Sequence, residues 1–130
     1  MFEEIHLSGE FDAAIERVTQ ALASEGFGII TQIDMRETFQ KKLDVAFRPY
    51  VILGACNPGL AHQAVSAAPE IGLFLPCNVT VEQADDGIVV RIPNAEELMK
   101  GAGDGAAAAL GALAQDANAR LARVSVALRV

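Results

Sequence analysis

The sequence predicts an α+β domain built on a mostly antiparallel sheet with helices on one face. Two strand candidates, residues 77–83 and 88–92, are joined through an Asp-Asp-Gly turn at 85–87, and an Asp-Gly step is typical of a tight hairpin. When the short inserted helices are set aside, the element order is strand, helix, four strands, helix. Runs of adjacent strands favour an antiparallel sheet over a doubly wound parallel one. No internal repeat or linker divides the chain, so we predict one domain over residues 1–130.

The N-terminal segment predicts a strand followed by an amphipathic helix. Residues 2–7 are the strand candidate, and the acidic residues that follow suit the positive end of a helix. Apolar side chains then recur every three or four residues from Phe11 to Leu22, which predicts a helix that ends before Gly26.

The next segment predicts a strand, a short helix and a second strand. Residues 27–34 are apolar on one face and partly apolar on the other, so we expect a mostly buried strand. Asp34 and Glu37 form an Asp-x-x-Glu variant of the capping box, which indicates a helix start rather than a pair of catalytic carboxylates. The next strand covers about residues 48–55.

Two further helices are indicated by their first residues. Asn57 followed by Pro58 is a strong start signal, because asparagine caps free amides and proline at the first helical position loses no needed donor. That helix ends before Pro69. After the hairpin, Asn94 with Glu97 caps another short helix.

The final segment fits either a helix or a strand at its end. Residues 124–128 alternate like a strand, but apolar residues from Leu113 to Leu128 continue the spacing of a helix begun near Gly105. We predict a helix. Its small residues at 106–109 permit close approach to the sheet or to a second subunit, although an alanine-rich helix is also simply stable.

Composition and charge exclude several classes of function. Ten Lys and Arg against seventeen Asp and Glu give a net charge of −7, and the basic residues are scattered, so we expect no nucleic-acid or anionic-membrane partner. The longest apolar run, residues 106–114, is shorter than the ~18 residues that a membrane span needs. The N-terminal residues do not resemble a secretory signal, so we predict a cytoplasmic protein whose two cysteines are thiols.

Two Cys-Asn steps at strand boundaries form the main candidate site. Cys56 lies at the end of a predicted strand and at the start of a helix, where the helix dipole favours the thiolate. Cys77 lies at the beginning of another predicted strand, directly after a proline. If the two strands are neighbours, both thiols could converge with His62, a set that suits Cu(I) or Zn(II) with a fourth zinc ligand from water or a second subunit. The alternatives are two small buried core residues and a histidine with only a surface or packing role.

Four more residues are candidate ligand contacts. Asn57 is either a helix cap or a ligand contact, and Asn78, which starts no helix, orients a ligand or closes a turn. Arg48, which is close to Tyr50, is either an anion clamp for a carboxylate or phosphate, or the partner of a local acid such as Asp44.

Three motifs occur in order along the chain. They are Phe-Arg-Pro-Tyr at 47–50, Gly-Ala-Cys-Asn-Pro at 54–58 and Gly-Leu-Phe-Leu-Pro-Cys-Asn at 72–78. Together they resemble the family called domain of unknown function 302. The resemblance extends from the first helix through the hairpin, and the C-terminal helix is less telling.

The resemblance implies a single-copy fold similar to one repeat of the TATA-box-binding protein, decorated with extra helices and assembled as a homodimer. It implies no DNA binding, which agrees with the acidic charge. It supplies candidate positions but no reaction, and it leaves the cofactor unknown, because the family has no established activity.

Three hypotheses follow for function. The first is a dimeric module that binds a small molecule or a soft metal near Cys56 and Cys77. The second is a thiol enzyme in which Cys56 attacks and Cys77 resolves, but the sequence has no Cys-x-x-Cys motif and no residue that would orient a histidine base. The third is a purely structural interaction domain. We predict a binding module rather than an enzyme.

Overall fold

The computed structural model describes residues 2–129 and contains a five-stranded antiparallel sheet. Its strands are β1 (Phe2–Leu7), β2 (Gly28–Asp34), β3 (Tyr50–Cys56), β4 (Cys77–Ala84) and β5 (Gly87–Pro93), in the spatial order β1-β5-β4-β3-β2. The helices are α1 (Phe11–Ser24), α2 (Met35–Leu43), α3 (Pro58–Ala67), α4 (Ala95–Gly101) and α5 (Asp104–Leu128), with a 3-10 helix at Pro69–Phe74. The predicted α+β class, element order and hairpin are confirmed.

The main core lies between one face of the sheet and helices α1 and α5. Every second residue of the central strands points to this face, as the pleat of a strand requires. The stripe predicted on the first helix is buried at Val18 and Leu22, and the last helix contributes Val124 and Leu128. Each such side chain contributes about 1.5–3 kcal/mol when it is fully buried. The helical prediction for the C-terminal segment is therefore confirmed.

The prediction that residues 27–34 form a mostly buried strand is wrong. Strand β2 lies at the edge of the sheet and pairs only with β3, and the side chains of Ile30 and Ile33 are 61% and 45% exposed. Ile33 is paired with Ile52 on the sheet face opposite the main core. A register shift between Ile29 and Thr31 makes Ile30 an extra, bulged residue. Only Phe27, which precedes the strand, is fully packed in the core.

The predicted helix starts are confirmed by their hydrogen bonds. The Asp34 side chain accepts a bond from the Glu37 amide at 3.0 Å, so these residues cap α2. Asn57 accepts from the Leu60 amide at 3.2 Å and starts α3. Asn94 caps α4 in the same way.

A second, smaller apolar cluster lies beside the main core. It is formed by α3, the 3-10 helix, α4 and the first half of α5, and its buried members are Ala64, Ala68, Ile71, Met99, Ala106, Leu110 and Ala114. This satellite cluster covers the end of the sheet at which β3 ends and β4 begins, and it frames the candidate site. The comparison with a repeat of the TATA-box-binding protein stays a prediction.

Candidate functional site

A largely apolar cavity of about 230 Å³ lies between the main core and the satellite cluster. We call it the thiol cavity, because both cysteines line it. It is lined by Phe27, Ile30, Ala55, Cys56, Asn57, Leu60, Ala61, Ala64, Leu75, Pro76, Cys77, Ala95, Met99, Leu113 and Ala117.

The cavity exists because alanines occupy positions where four elements meet. Ala55 from β3, Ala64 from α3, Ala95 from α4 and Ala117 from α5 are all buried in its wall. A core is normally filled to the density of an organic crystal, and short side chains at such a junction leave space that the neighbouring backbones do not close. The cavity is thus a consequence of the sequence at the junction.

The two cysteines come from neighbouring strands. Ala55 is paired with Cys77 in the antiparallel ladder, and Cys56 is the next residue along β3. Both cysteines are free thiols; Cys56 is half-buried, whereas Cys77 is only 8% exposed. Burial raises the pKa of the Cys77 thiol, and the negative charge of a Cys56 thiolate raises it further. Cys77 is therefore a protonated thiol at neutral pH.

The structure does not bring His62 to the two thiols. His62 is exposed on α3 and is not part of the wall of the thiol cavity. Within residues 2–129, no three His, Cys, Asp or Glu side chains are grouped as metal ligands. The predicted set of Cys56, Cys77 and His62 is therefore not assembled here, because the imidazole lies on a part of α3 that faces solvent.

Asn57 and Asn78 have different surroundings. Asn57 lines the thiol cavity while it caps α3, so the cap and a ligand contact are compatible. Its amide nitrogen also fits beside Gly26, which has a φ of +86° and no side chain to obstruct it. Asn78 is exposed and pairs with Gly54, and because it follows Cys77 in the strand it points to the opposite sheet face.

Gly54 permits close packing beside the site. An added Cβ atom at this position would overlap the Thr31 hydroxyl oxygen of β2 and would lie 2.8 Å from Cγ of Pro76. The Leu75–Pro76 peptide bond is cis. The glycine of the Gly-Ala-Cys-Asn-Pro motif thus allows Thr31 of the edge strand β2 and the Pro76 ring to pack closely against β3.

Arg48 and Tyr50 lie outside the thiol cavity. Arg48 does not pair with Asp44, whose carboxylate accepts a bond from Gln40 at 2.9 Å. Instead its Nε donates to Glu82 at 2.5 Å, and its guanidinium stacks over the Phe47 ring at 4.4 Å. Of the two alternatives, Arg48 does pair with an acid, but that acid is Glu82 rather than Asp44, because the strand register brings Glu82 opposite Tyr50.

Glu82 is the centre of an ion network that the sequence did not indicate. Its side chain accepts from Arg91 at 2.6 Å as well as from Arg48, and Arg91 also contacts Glu4 at 3.3 Å. Glu82 is 6% exposed, and the hydrogen bond from Arg91, followed by that from Arg48, holds the pKa of its carboxyl below the usual range. A single glutamate in an alternating strand pattern gives no signal of this role.

Met99 is a further residue that sequence reasoning missed. It lies on α4, is almost fully buried and lines the thiol cavity with both cysteines. A methionine on a short helix is ordinarily a core residue, so only the packing of α4 against α5 revealed its position.

Comparison with known families agrees with these features. The family model for the domain of unknown function DUF302 matches residues 3–128. The chain belongs to the DUF302 family. The predicted resemblance is thereby confirmed.

A solved relative has the same architecture. The crystal structure of an uncharacterized conserved protein DUF302 from Bacillus stearothermophilus is 31% identical, with a TM-score of 0.86 over 98% of each chain. Comparison with curated proteins gave no match. Within residues 2–129, no helix is long and apolar enough to cross a membrane.

Proposed function

We propose that this DUF302 domain is a binding module for a small apolar molecule, held in the thiol cavity. The observation that carries the proposal is a largely apolar cavity whose wall contains two free thiols from neighbouring strands. Apolar pockets with a few convergent polar groups are the usual form of a small-molecule site. Asn57 and the half-buried Cys56 supply the polar groups here.

The cavity volume sets the size of the ligand. A cavity of about 150 Å³ holds a benzene molecule, so the 230 Å³ of the thiol cavity suits an apolar molecule of about ten non-hydrogen atoms. The wall contains no charged side chain. A neutral, partly aromatic molecule therefore fits its chemistry better than an anion or a sugar.

Binding is better supported than thiol catalysis. A nucleophilic or resolving cysteine must reach its thiolate form, and burial works against this at Cys77. His62 lies away from the cavity, so it offers no base to activate Cys56. The partial exposure of Cys56 and its position just before the start of α3 are the features that favour the enzyme hypothesis.

Indole, with its two fused rings, is a suitable probe for the test. We expect indole to shift the amide signals of cavity residues in two-dimensional NMR spectra. Ala64→Leu fills the cavity and should abolish these shifts, whereas Ala67→Leu makes the same change at an exposed position of α3 and should leave them intact.

Thermal melts of both variants establish whether they are folded. If Ala64→Leu does not fold, Ala117→Leu fills the same cavity from α5 and serves in its place. Equal indole binding by the filled and control variants would contradict the proposal. If Ala64→Leu abolishes indole binding and the control does not, native mass spectrometry of protein purified without chelators can identify the natural ligand from the mass lost on denaturation.

We also propose that the protein is a cytoplasmic homodimer. Among the described strands, β2 lies at the edge of the sheet with its outer backbone edge unpaired and with Ile30 and Ile33 exposed, and such an edge supports pairing with a second copy. The two free thiols support a reducing compartment, and the net charge of −7 supports partners other than nucleic acid or anionic membranes. Light scattering on wild type and Ile33→Lys tests the dimer.

A further inference from the structure

The opening of the thiol cavity lies at an unpaired edge of the sheet. Among the described residues that line this cavity, Ile30 alone is exposed. Ile30 is also the bulged residue of β2, whose outer backbone edge has no neighbouring strand in the described sheet. A bulge re-aims the side chain of its extra residue, which lets Ile30 line the cavity from a strand at the surface. The rim of the cavity and the unpaired sheet edge therefore share one residue.

The distribution of charge favours β2 over β1 as the edge at which two copies meet. Each copy has a net charge of −7, so association is least opposed where the meeting surfaces lack acidic groups. Residues 28–33 have no charged side chain, whereas the other edge strand, β1, contains Glu3 and Glu4. Charged side chains on an edge strand usually protect it from pairing with another chain. The β2 edge lacks that protection.

The backbone of β2 is regular on one side of the bulge. Residues 31–34 pair in unbroken register with residues 51–54 of β3, so their outer amide and carbonyl groups form a regular row that another strand can pair with. In a two-fold dimer each copy presents the same strand to the other, so the two sheets join antiparallel through β2. Ile30 of each copy then lies next to β2 of the second copy instead of next to water.

We propose that a second copy, paired along β2, closes the thiol cavity at Ile30, so that ligand binding and self-association strengthen each other. The inference rests on the proposed function, because it links the apolar ligand and the homodimer through one residue. A closed opening removes a bound apolar molecule from water more completely, which favours binding in the dimer. Such linkage is reciprocal: the factor by which the second copy raises ligand affinity is the factor by which the ligand at each cavity strengthens self-association.

The test is a titration of indole with wild type, Ile33→Lys and Phe2→Lys, followed by indole fluorescence because the chain has no tryptophan. Ile33→Lys adds a charge to the β2 edge without changing the cavity wall, which does not include this residue. Phe2→Lys is the matched control, since Phe2 is an exposed apolar residue on the other edge strand. We expect Ile33→Lys to be a monomer that binds indole about fivefold or more weakly, and Phe2→Lys to be a dimer with the affinity of wild type.

Sedimentation velocity provides a second measurement on the wild-type protein itself. Saturating indole should lower the dissociation constant of the dimer by at least the same factor. Ala64→Leu, whose cavity is filled, should dimerise without responding to indole. Thermal melts show whether the variants are folded, and if Ile33→Lys does not fold, the response of the wild-type dimer to indole decides the question.

Three results would each overturn the proposal: wild type that is monomeric at every concentration, Ile33→Lys that still dimerises, or equal indole affinity in the Ile33→Lys monomer and the wild-type dimer. Each of them leaves indole binding by wild type intact, so the apolar ligand would stand without the linkage. Absence of indole binding in wild type and both lysine variants would instead refute the proposed ligand on which the linkage rests.

Discussion

The ion network at Glu82 gives a quantitative prediction. Glu82→Gln keeps the size of the side chain but removes the charge that Arg48 and Arg91 share at 2.5 and 2.6 Å. A hydrogen bond to a charged group contributes roughly 1.5–3 kcal/mol, and glutamine retains one acceptor oxygen for one of the two arginines. Arg48 and Arg91 are 49% and 34% exposed in their side chains, so water compensates part of the loss.

We therefore expect Glu82→Gln to lower the free energy of unfolding by about 1–2 kcal/mol at pH 7. For a chain of 130 residues, an unfolding entropy of about 2.1 cal/mol/K per residue converts this to a fall in Tm of about 4–7 °C. Calorimetry or circular dichroism measures the shift.

The difference in unfolding free energy between wild type and Glu82→Gln should depend on pH. The folded-state pKa of Glu82 is lower than its unfolded value, so its stabilisation is present at neutral pH and is lost as pH falls through the folded pKa. Glu82→Gln has no such group. The two unfolding free energies should therefore converge as the pH falls well below about 4.

Glu37→Gln is the matched control. Glu37 contacts Lys41 at 2.5 Å, the same distance as that between Arg48 and Glu82, but both side chains are more than half exposed. Solvent screens such a pair, so Glu37→Gln should have the same free energy of unfolding as wild type. The reasoning is refuted if Glu82→Gln is as stable as wild type at pH 7, if the difference persists unchanged in acid, or if the control loses as much stability.

Substitutions at three other residues and a chemical modification at a fourth test local features. Gly54→Ala should lower the free energy of unfolding by about 1–3 kcal/mol through overlap with the neighbours of that glycine. Gly111→Ala, whose new methyl group meets no atom within 4 Å, should raise the free energy of unfolding by about 0.5–1 kcal/mol. Shifts of Tm in the same direction for the two glycine variants would contradict this pair of predictions. Iodoacetamide should modify Cys77 only at a higher pH than it modifies a free cysteine, which peptide mass spectrometry measures. Modification of Cys77 at the same pH as a free cysteine would argue against its burial. Asn57→Ala should cost about 1 kcal/mol by removing the α3 cap, whereas Asn57→Asp should retain most of the stability in urea unfolding.

Local signals predicted most of the fold. The caps at Asp34, Asn57 and Asn94 depend on residues only three positions apart, so the sequence alone was sufficient to find them. The same holds for the Asp-Gly turn between β4 and β5. The burial of β2 depended instead on which strand lies at the edge, and a strand's neighbours are decided by the whole sheet.

The site was predicted only in part for a similar reason. The motifs located Cys56, Cys77 and Asn57, all of which line the thiol cavity. Met99 and Glu82 escaped notice because their partners are distant in sequence: Arg48 and Glu82 are 34 positions apart. The orientation of a residue on a short helix, such as His62, depends on which helix face is covered, and this follows from tertiary packing.

The position of α5 has a consequence for how such a domain can vary. With 25 residues, α5 is about 37 Å long, and its first half belongs to the satellite cluster while its second half belongs to the main core. The cavity lies where the halves meet, at Leu113 and Ala117. Substitutions in α3 or α4 can therefore reshape the pocket while the sheet keeps its own helical support. The two halves of α5 thus have different neighbours: the first half borders the satellite cluster and the cavity, and the second half supports the sheet.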